Sequence, residues 1–147
     1  MSSAKLSGHF VEPMLLVRTE SLPDDATIWR YELKHDGYRS IAFKTGGKLY
    51  LRSRNDNDFA ARYPAIAKAL ISLPNDTVID GEIVAFDTSG KPSFNVLQNH
   101  GTSGVPLFYY VFDVMMLAGK SVMGEPLERR QEVLEQEILP RLKEPIR

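Results

Sequence analysis

Apolar and polar residues alternate along three consecutive runs in the first third of the chain. In Ile28–Lys34, Trp29, Tyr31 and Leu33 fall on one side and Arg30, Glu32 and Lys34 on the other, the period of a half-buried strand. Tyr38–Lys44 and Leu49–Arg54 alternate likewise, and Thr45-Gly46-Gly47-Lys48 between them offers the positive φ of a tight hairpin turn. Before these runs, Val11–Arg18 is an apolar segment interrupted by Pro13 and reads as an extended strand lying on the domain. After the polar turn Asn55-Asp56-Asn57-Asp58, Pro64 suits the first position of a helix to about Ser72, with Ile66 and Leu70 inward. Thr77–Asp87 is rich in β-branched residues and predicts a strand, interrupted by Asp80-Gly81-Glu82; a glycine there marks a bulge or a close approach. Ser93–Asn99 predicts a short helix and His100–Gly104 a flexible loop. Pro106–Leu117 is apolar enough to predict a central strand buried on both faces. Pro126 and Pro140 bracket an amphipathic helix whose stripe is Leu127, Leu134 and Ile138. Strands come first and helices fall between hairpins. That order predicts an α+β fold of antiparallel sheets with flanking helices, not a parallel βαβ fold.

Composition narrows this picture only a little. A chain of 147 residues with 43% hydrophobic and 25% charged residues suits one globular domain with a real core. Residues 1–10 are small and polar and predict a disordered leader, with the domain from residue 11 to 147. No apolar run reaches bilayer length and no signal-peptide core is present, so the expected location is cytoplasmic, with no membrane partner. With no cysteine, thiol nucleophiles and thiolate zinc sites are excluded. The net charge of −1 disfavours a freestanding DNA-binding domain. The charge is uneven, however. Between Arg30 and Arg54 seven cations face only Glu32 and Asp36, a local surplus of five positive charges that suits an anionic ligand.

The chemistry concentrates at Tyr31–Arg39, where Lys34, Asp36, Gly37 and Arg39 form the pattern K-x-D-G-x-R. A lysine attacks only when neutral, and nearby cations with partial burial favour that form. Arg39, Arg54 and a bound divalent metal would supply such cations and would also neutralise charge developing on a phosphoryl group. Asp36 would hold the metal or orient the lysine, and Gly37 would let the backbone approach the ligand. A solvated turn with charged flanks explains the same residues about as well, so the companions decide.

The cluster resembles motif I of the covalent nucleotidyltransferases: ATP-dependent DNA ligases, RNA ligases and capping enzymes. Ser53-Arg54-Asn55 looks like the arginine motif that follows it, Asp80-Gly81-Glu82 is similar to motif III, and Val111-Phe112-Asp113-Val114 to motif IIIa. With Pro13-Met14-Leu15, the wording around Lys34 is closest to bacterial and archaeal end-joining DNA ligases. The resemblance implies a partial adenylation domain of the nucleotidyltransferase (ATP-grasp-like) kind. It implies ATP and Mg2+ (or Mn2+) as cofactors, and nicked or broken double-stranded DNA as the partner of the parent protein. Lys34 would attack the α-phosphate of ATP and carry AMP. Glu32 and the backbone at Leu33 would contact adenine, Arg39 and Arg54 ribose and phosphate, Glu82 a ribose hydroxyl or, with Asp36, the metal. Phe112 would stack on the base, worth about 1–3 kcal/mol.

One departure stands out. The family's later Glu-Gly segment and K-x-K lysine pair have no counterpart in this sequence. The chain is therefore expected to be the N-terminal part of an adenylation domain, with little activity alone. An RNA ligase or capping guanylyltransferase piece shares motif I and would differ by nucleotide preference. A non-catalytic nucleotide-binding module would bind ATP without taking label.

Overall fold

The computed structural model describes residues 4–25, 27–99 and 105–147. Its centre is one five-stranded antiparallel sheet in the order β2-β1-β3-β4-β5. The strands are β1 (Tyr38–Thr45), β2 (Lys48–Ser53), β3 (Thr77–Ala85), β4 (Leu107–Leu117) and the short β5 (Lys120–Ser121). Helices α1 (Pro64–Ala69), α2 (Phe94–Gln98) and α3 (Leu127–Val133) lie in the connections, and α3 runs on through a π turn and a 3-10 turn to Arg141. The antiparallel α+β expectation is met.

Local chemistry accounts for most of these elements. Gly46 and Gly47 both take positive φ, 57° and 77°, and let Thr45 pair directly with Lys48 in the β1–β2 hairpin. Pro64 opens α1, and Ile66 and Leu70 are fully buried as the spacing required. The hydroxyl of Ser93 accepts from the Val96 amide and caps α2.

The core has two parts. The larger, on the helix side of the sheet, includes Leu51, Tyr63, Ile83, Leu97, Tyr109 and Ile138. The smaller joins Ile41, Phe43, Val78, Met115 and Met116 on the opposite face, where Phe10 and Val11 pack on it. Within the stretch expected as a leader, the amide of Leu6 bonds the Gly119 carbonyl at 2.8 Å and that of Gly8 bonds Asp76 Oδ1 at 2.8 Å.

Four expectations differ from the structure. Ile28–Lys34 is not a strand. Alternation makes a strand only beside an edge it can pair with; β1, the next element in the chain, is already flanked by β2 and β3, and the segment pairs with neither of the sheet's free edges at β2 and β5. The Val11–Arg18 segment forms no strand either and leaves Met14, Leu15, Leu16 and Val17 exposed. The most buried strand is β3, not β4, because β3 lies in the middle of the sheet while β4 buries only alternate residues over its first half. Leu127 is exposed at the start of α3, and the inward positions are Val133, Leu134 and Ile138. The loop expected at His100–Gly104 lies outside the described residues.

Candidate functional site

The sheet register brings the second arginine of the cluster and the glutamate of the Asp-Gly-Glu stretch side by side. Arg39 of β1 is the direct cross-strand partner of Glu82 in β3. Alternation then sets Asp80 on the same face, one step along, and Arg39 grips it with two parallel bonds, Nε to Oδ1 at 2.7 Å and Nη2 to Oδ2 at 2.5 Å. Both partners are well shielded, with side-chain exposures of 16% and 5%. Asp80 is the residue whose role the sequence reading missed. Only the period-two spacing from Glu82 hinted that it faces Arg39.

A bulge supplies the aromatic. Between β3 and β4 the register passes from Gly81 opposite Val111 to Asp80 opposite Asp113, so Phe112 is the inserted residue. Its ring lies 4.9 Å from the Arg39 guanidinium, a cation–π contact. The expected irregularity at Asp80-Gly81 is therefore real, and the extra residue sits on the neighbouring strand. Gly81 is required there by packing: a Cβ would meet the Tyr110 carbonyl oxygen at 2.3 Å. The same holds for Gly37, where a Cβ would fall 2.0 Å from the Ile83 carbonyl oxygen. Gly37 thus lets two backbones meet, and the space beside it is filled by β3 rather than left for a ligand.

Lys34 reaches the site on an unpaired arm. Residues 29–36 belong to no helix or strand, and Glu32, Leu33, Lys34 and Asp36 are all exposed. With Arg39, Glu82, Phe112 and the 14–17 segment, Glu32, Leu33 and Lys34 line a cleft of about 500 Å³, a size that suits a small ligand. Arg54, also exposed, lines an adjoining cleft of about 480 Å³ that shares Arg39 and Glu82 with the first. Three further contacts fix the walls. Arg130 of α3 holds Asp113 of β4 through Nε to Oδ1 at 2.8 Å and Nη2 to Oδ2 at 3.3 Å. Gln131 Nε2 donates to Glu32 Oε1 at 2.7 Å. His35 is half-buried and stacks on Tyr110 with ring centroids 4.3 Å apart.

The electrostatics of the carboxylates follow from this packing. Burial raises the Glu82 carboxyl above its usual range; Lys34 and Arg39 pull it down, and Asp36 and Asp80 push it up. Asp80 is also raised by burial, against the opposing pull of Arg39. Tyr109, wholly buried with its hydroxyl donated to the Ser40 carbonyl at 2.8 Å, is raised well above the usual phenol range by burial. Among the described residues no three carboxylates or histidines converge as a metal cage. Glu82 lines both clefts, whereas Asp36 lines neither and reaches the site only through its charge, which pushes the Glu82 carboxyl up.

An antiparallel sheet whose central strands present an arginine, a carboxylate and an aromatic to one cleft, with a lysine brought there on the arm before β1, suits a nucleotide-dependent group-transfer domain. The sequence matches the ATP dependent DNA ligase domain family over residues 13–146, and the chain belongs to that family. The Mycobacterium tuberculosis multifunctional non-homologous end joining DNA repair protein LigD is 35% identical over 124 residues, which is 84% of this chain and 16% of that protein. DNA ligase C1 of Mycolicibacterium smegmatis is 32% identical over 138 residues, covering 84% of this chain and 40% of the relative. The crystal structure of the ligase domain from M. tuberculosis LigD superimposes with a TM-score of 0.59 at 37% identity, covering 71% of this chain and 35% of that one. A structure of mycobacterial DNA ligase D complexed with ATP and MES matches equally well. The chain thus spans a minor part of the length of these relatives.

Proposed function

We propose that this chain is the part of an ATP-dependent DNA ligase that binds ATP and carries the lysine on which AMP is formed, with residues 11–147 as the first subdomain of the adenylation domain. The observation that carries the reading is the convergence on one cleft of Glu32, Lys34 and Arg39 from one stretch with Glu82 and Phe112 from two others far along the chain. In this reading the neutral Lys34 amine attacks the α-phosphorus of ATP. A nitrogen–phosphorus bond forms, the bond to the bridging oxygen breaks, pyrophosphate leaves and the amine gives up a proton. Phe112 offers a ring face to adenine and Glu32 an acceptor for its amine, while the Leu33 backbone edges the base. Arg39 and Arg54 attract ribose and phosphate oxygens. Glu82 would hold Mg2+, which supplies charge neutralisation at the phosphates. AMP passes from Lys34 to a 5′-phosphate at a DNA break, and a 3′-hydroxyl then displaces it. A cytoplasmic location goes with this chemistry, and no helix of the described residues is long and apolar enough to cross a membrane.

The test is to incubate the chain with α-labelled ATP and Mg2+ or Mn2+, denature it and look for label on the protein. A low level of label that vanishes in Lys34→Ala is the expected result. ATP binding without label would reduce the chain to a nucleotide-binding module, and loss of both would overturn the reading. Preference for GTP over ATP would point to a capping-type enzyme instead.

A further inference from the structure

We propose that Gln131 of α3 is a positioning residue for Lys34, acting through Glu32; the inference rests on Lys34 being the nucleophile of the reaction above. The arm from residue 29 to 36 lacks the usual means of holding a segment in place. Among the described residues none of its backbone groups makes a backbone hydrogen bond. Nor is it fastened by burial, since Trp29, Tyr31 and Leu33 are 54%, 50% and 87% exposed. Its place therefore depends on side-chain contacts, and the long-range polar one comes from Gln131, ninety-nine residues away.

The anchor is rigid. Gln131 is 8% exposed, and the residue before it, Arg130, is locked to Asp113 of β4 by two bonds and to the Glu125 carbonyl at 2.6 Å. Adjacent residues of one helix thus hold the sheet and the arm. The amide's orientation follows from chemistry, because a carboxylate only accepts: the NH2 must face Glu32 and the oxygen must turn away. That oxygen, Gln131 Oε1, is buried without a partner among the described residues. An apolar side chain at this place would avoid an unsatisfied acceptor, so packing alone does not explain a glutamine here. Its grip on Glu32 does. On the far side of Lys34, the stack of His35 on Tyr110 gives the arm a second point of contact. The lysine is held between them.

Trp29, the single tryptophan, lies three residues before Glu32 and reports on the arm directly. Gln131→Met keeps the volume and deletes the donor. In that variant acrylamide should quench Trp29 faster with circular dichroism unchanged. Lysine labelling at saturating ATP should slow about tenfold, the loss of one hydrogen bond to a charged group, and the half-saturating ATP concentration should rise as well, because Glu32 and Leu33 ride on the same arm. Glu32→Met, at an exposed position, should also lose an adenine contact but should free the arm in the same way, and in Trp29 quenching the double variant should go no further than either single one. Glu32→Gln keeps an acceptor oxygen and should keep Trp29 shielded. Unchanged quenching in Gln131→Met, or additive effects on quenching in the double variant, would overturn the proposal. So would a raised half-saturation with undiminished labelling at saturation. If the unaltered chain takes no label, the nucleophile reading fails, and Trp29 quenching still decides whether Gln131 holds the arm.

Discussion

Replacing Arg39 by methionine keeps the aliphatic stem but leaves Asp80, 3% exposed, with no cation beside it. Asp113, its cross-strand partner, adds repulsion, and burial already outweighs the pull of Arg39 on the Asp80 carboxyl. Removing one partner of a buried pair costs about 3–5 kcal/mol. Here the orphan is the drier partner, so water cannot solvate it in place. Protonation sets a ceiling on its share of the loss, because neutralising a carboxyl of ordinary pKa costs about 4 kcal/mol at pH 7 and about 1.5 kcal/mol at pH 5. A folded-state pKa raised above the unfolded value means that the fold favours the proton. Stability tied to that proton is fully present below the unfolded pKa near 4 and is lost as pH rises through the raised value. The variant should therefore lose about 3 kcal/mol at pH 7, about 10 °C in Tm for a chain of this size, and markedly less at pH 5. Urea and thermal unfolding followed by circular dichroism at both pH values measure this. A loss under about 1 kcal/mol at pH 7, or an equal loss at both pH values, would refute the argument that the buried Asp80 charge sets the cost.

Two further outcomes follow from the site's packing. Gly81→Ala drives a Cβ to 2.3 Å from the Tyr110 carbonyl oxygen and 2.7 Å from the Tyr109 ring; it should cost about 3 kcal/mol, and an unchanged Tm would show that the β3–β4 bulge yields freely. Lys34→Met alters an exposed residue outside any helix or strand, so its Tm should stay within the equivalent of about 0.5 kcal/mol of the parent even as lysine labelling disappears; a large drop in Tm would mean that the arm contributes to the core.

The sheet was legible because its signals are local. The Gly-Gly turn, the alternation of Tyr38–Lys44 and Leu49–Arg54, and the β-branched Thr77–Asp87 each imply their element without knowledge of a partner, and β1, β2 and β3 formed as read. What could not be read was non-local. Ile28–Lys34 alternates as well as any of these runs, but a strand also needs an edge within reach, and where the free edges at β2 and β5 lie is a property of the whole sheet. His35 meets its stacking partner Tyr110 only through the packing of the arm on β4. In the site, the K-x-D-G-x-R spacing found Arg39 and the family resemblance pointed to Glu82 and Phe112, while Asp80 and Gln131 emerged only from the register of β1 on β3 and the docking of α3.

That register also divides the labour among the cations. Arg39 is committed on two sides: its guanidinium is bonded twice to Asp80 and lies 4.9 Å from the Phe112 ring centroid. Much of its charge is thereby answered before any phosphate arrives, and turning toward an anion would uncover Asp80. Beside its grip on Asp80 it backs Phe112, since that ring lies against the guanidinium while the residue lines the cleft. Lys34 and Arg54 differ. Both are exposed, and among the described residues neither forms an ion pair within 4.0 Å. A polyphosphate entering the cleft would meet those two charges first, one on the arm and one past the hairpin, with Arg39 fixed between the two clefts that they line.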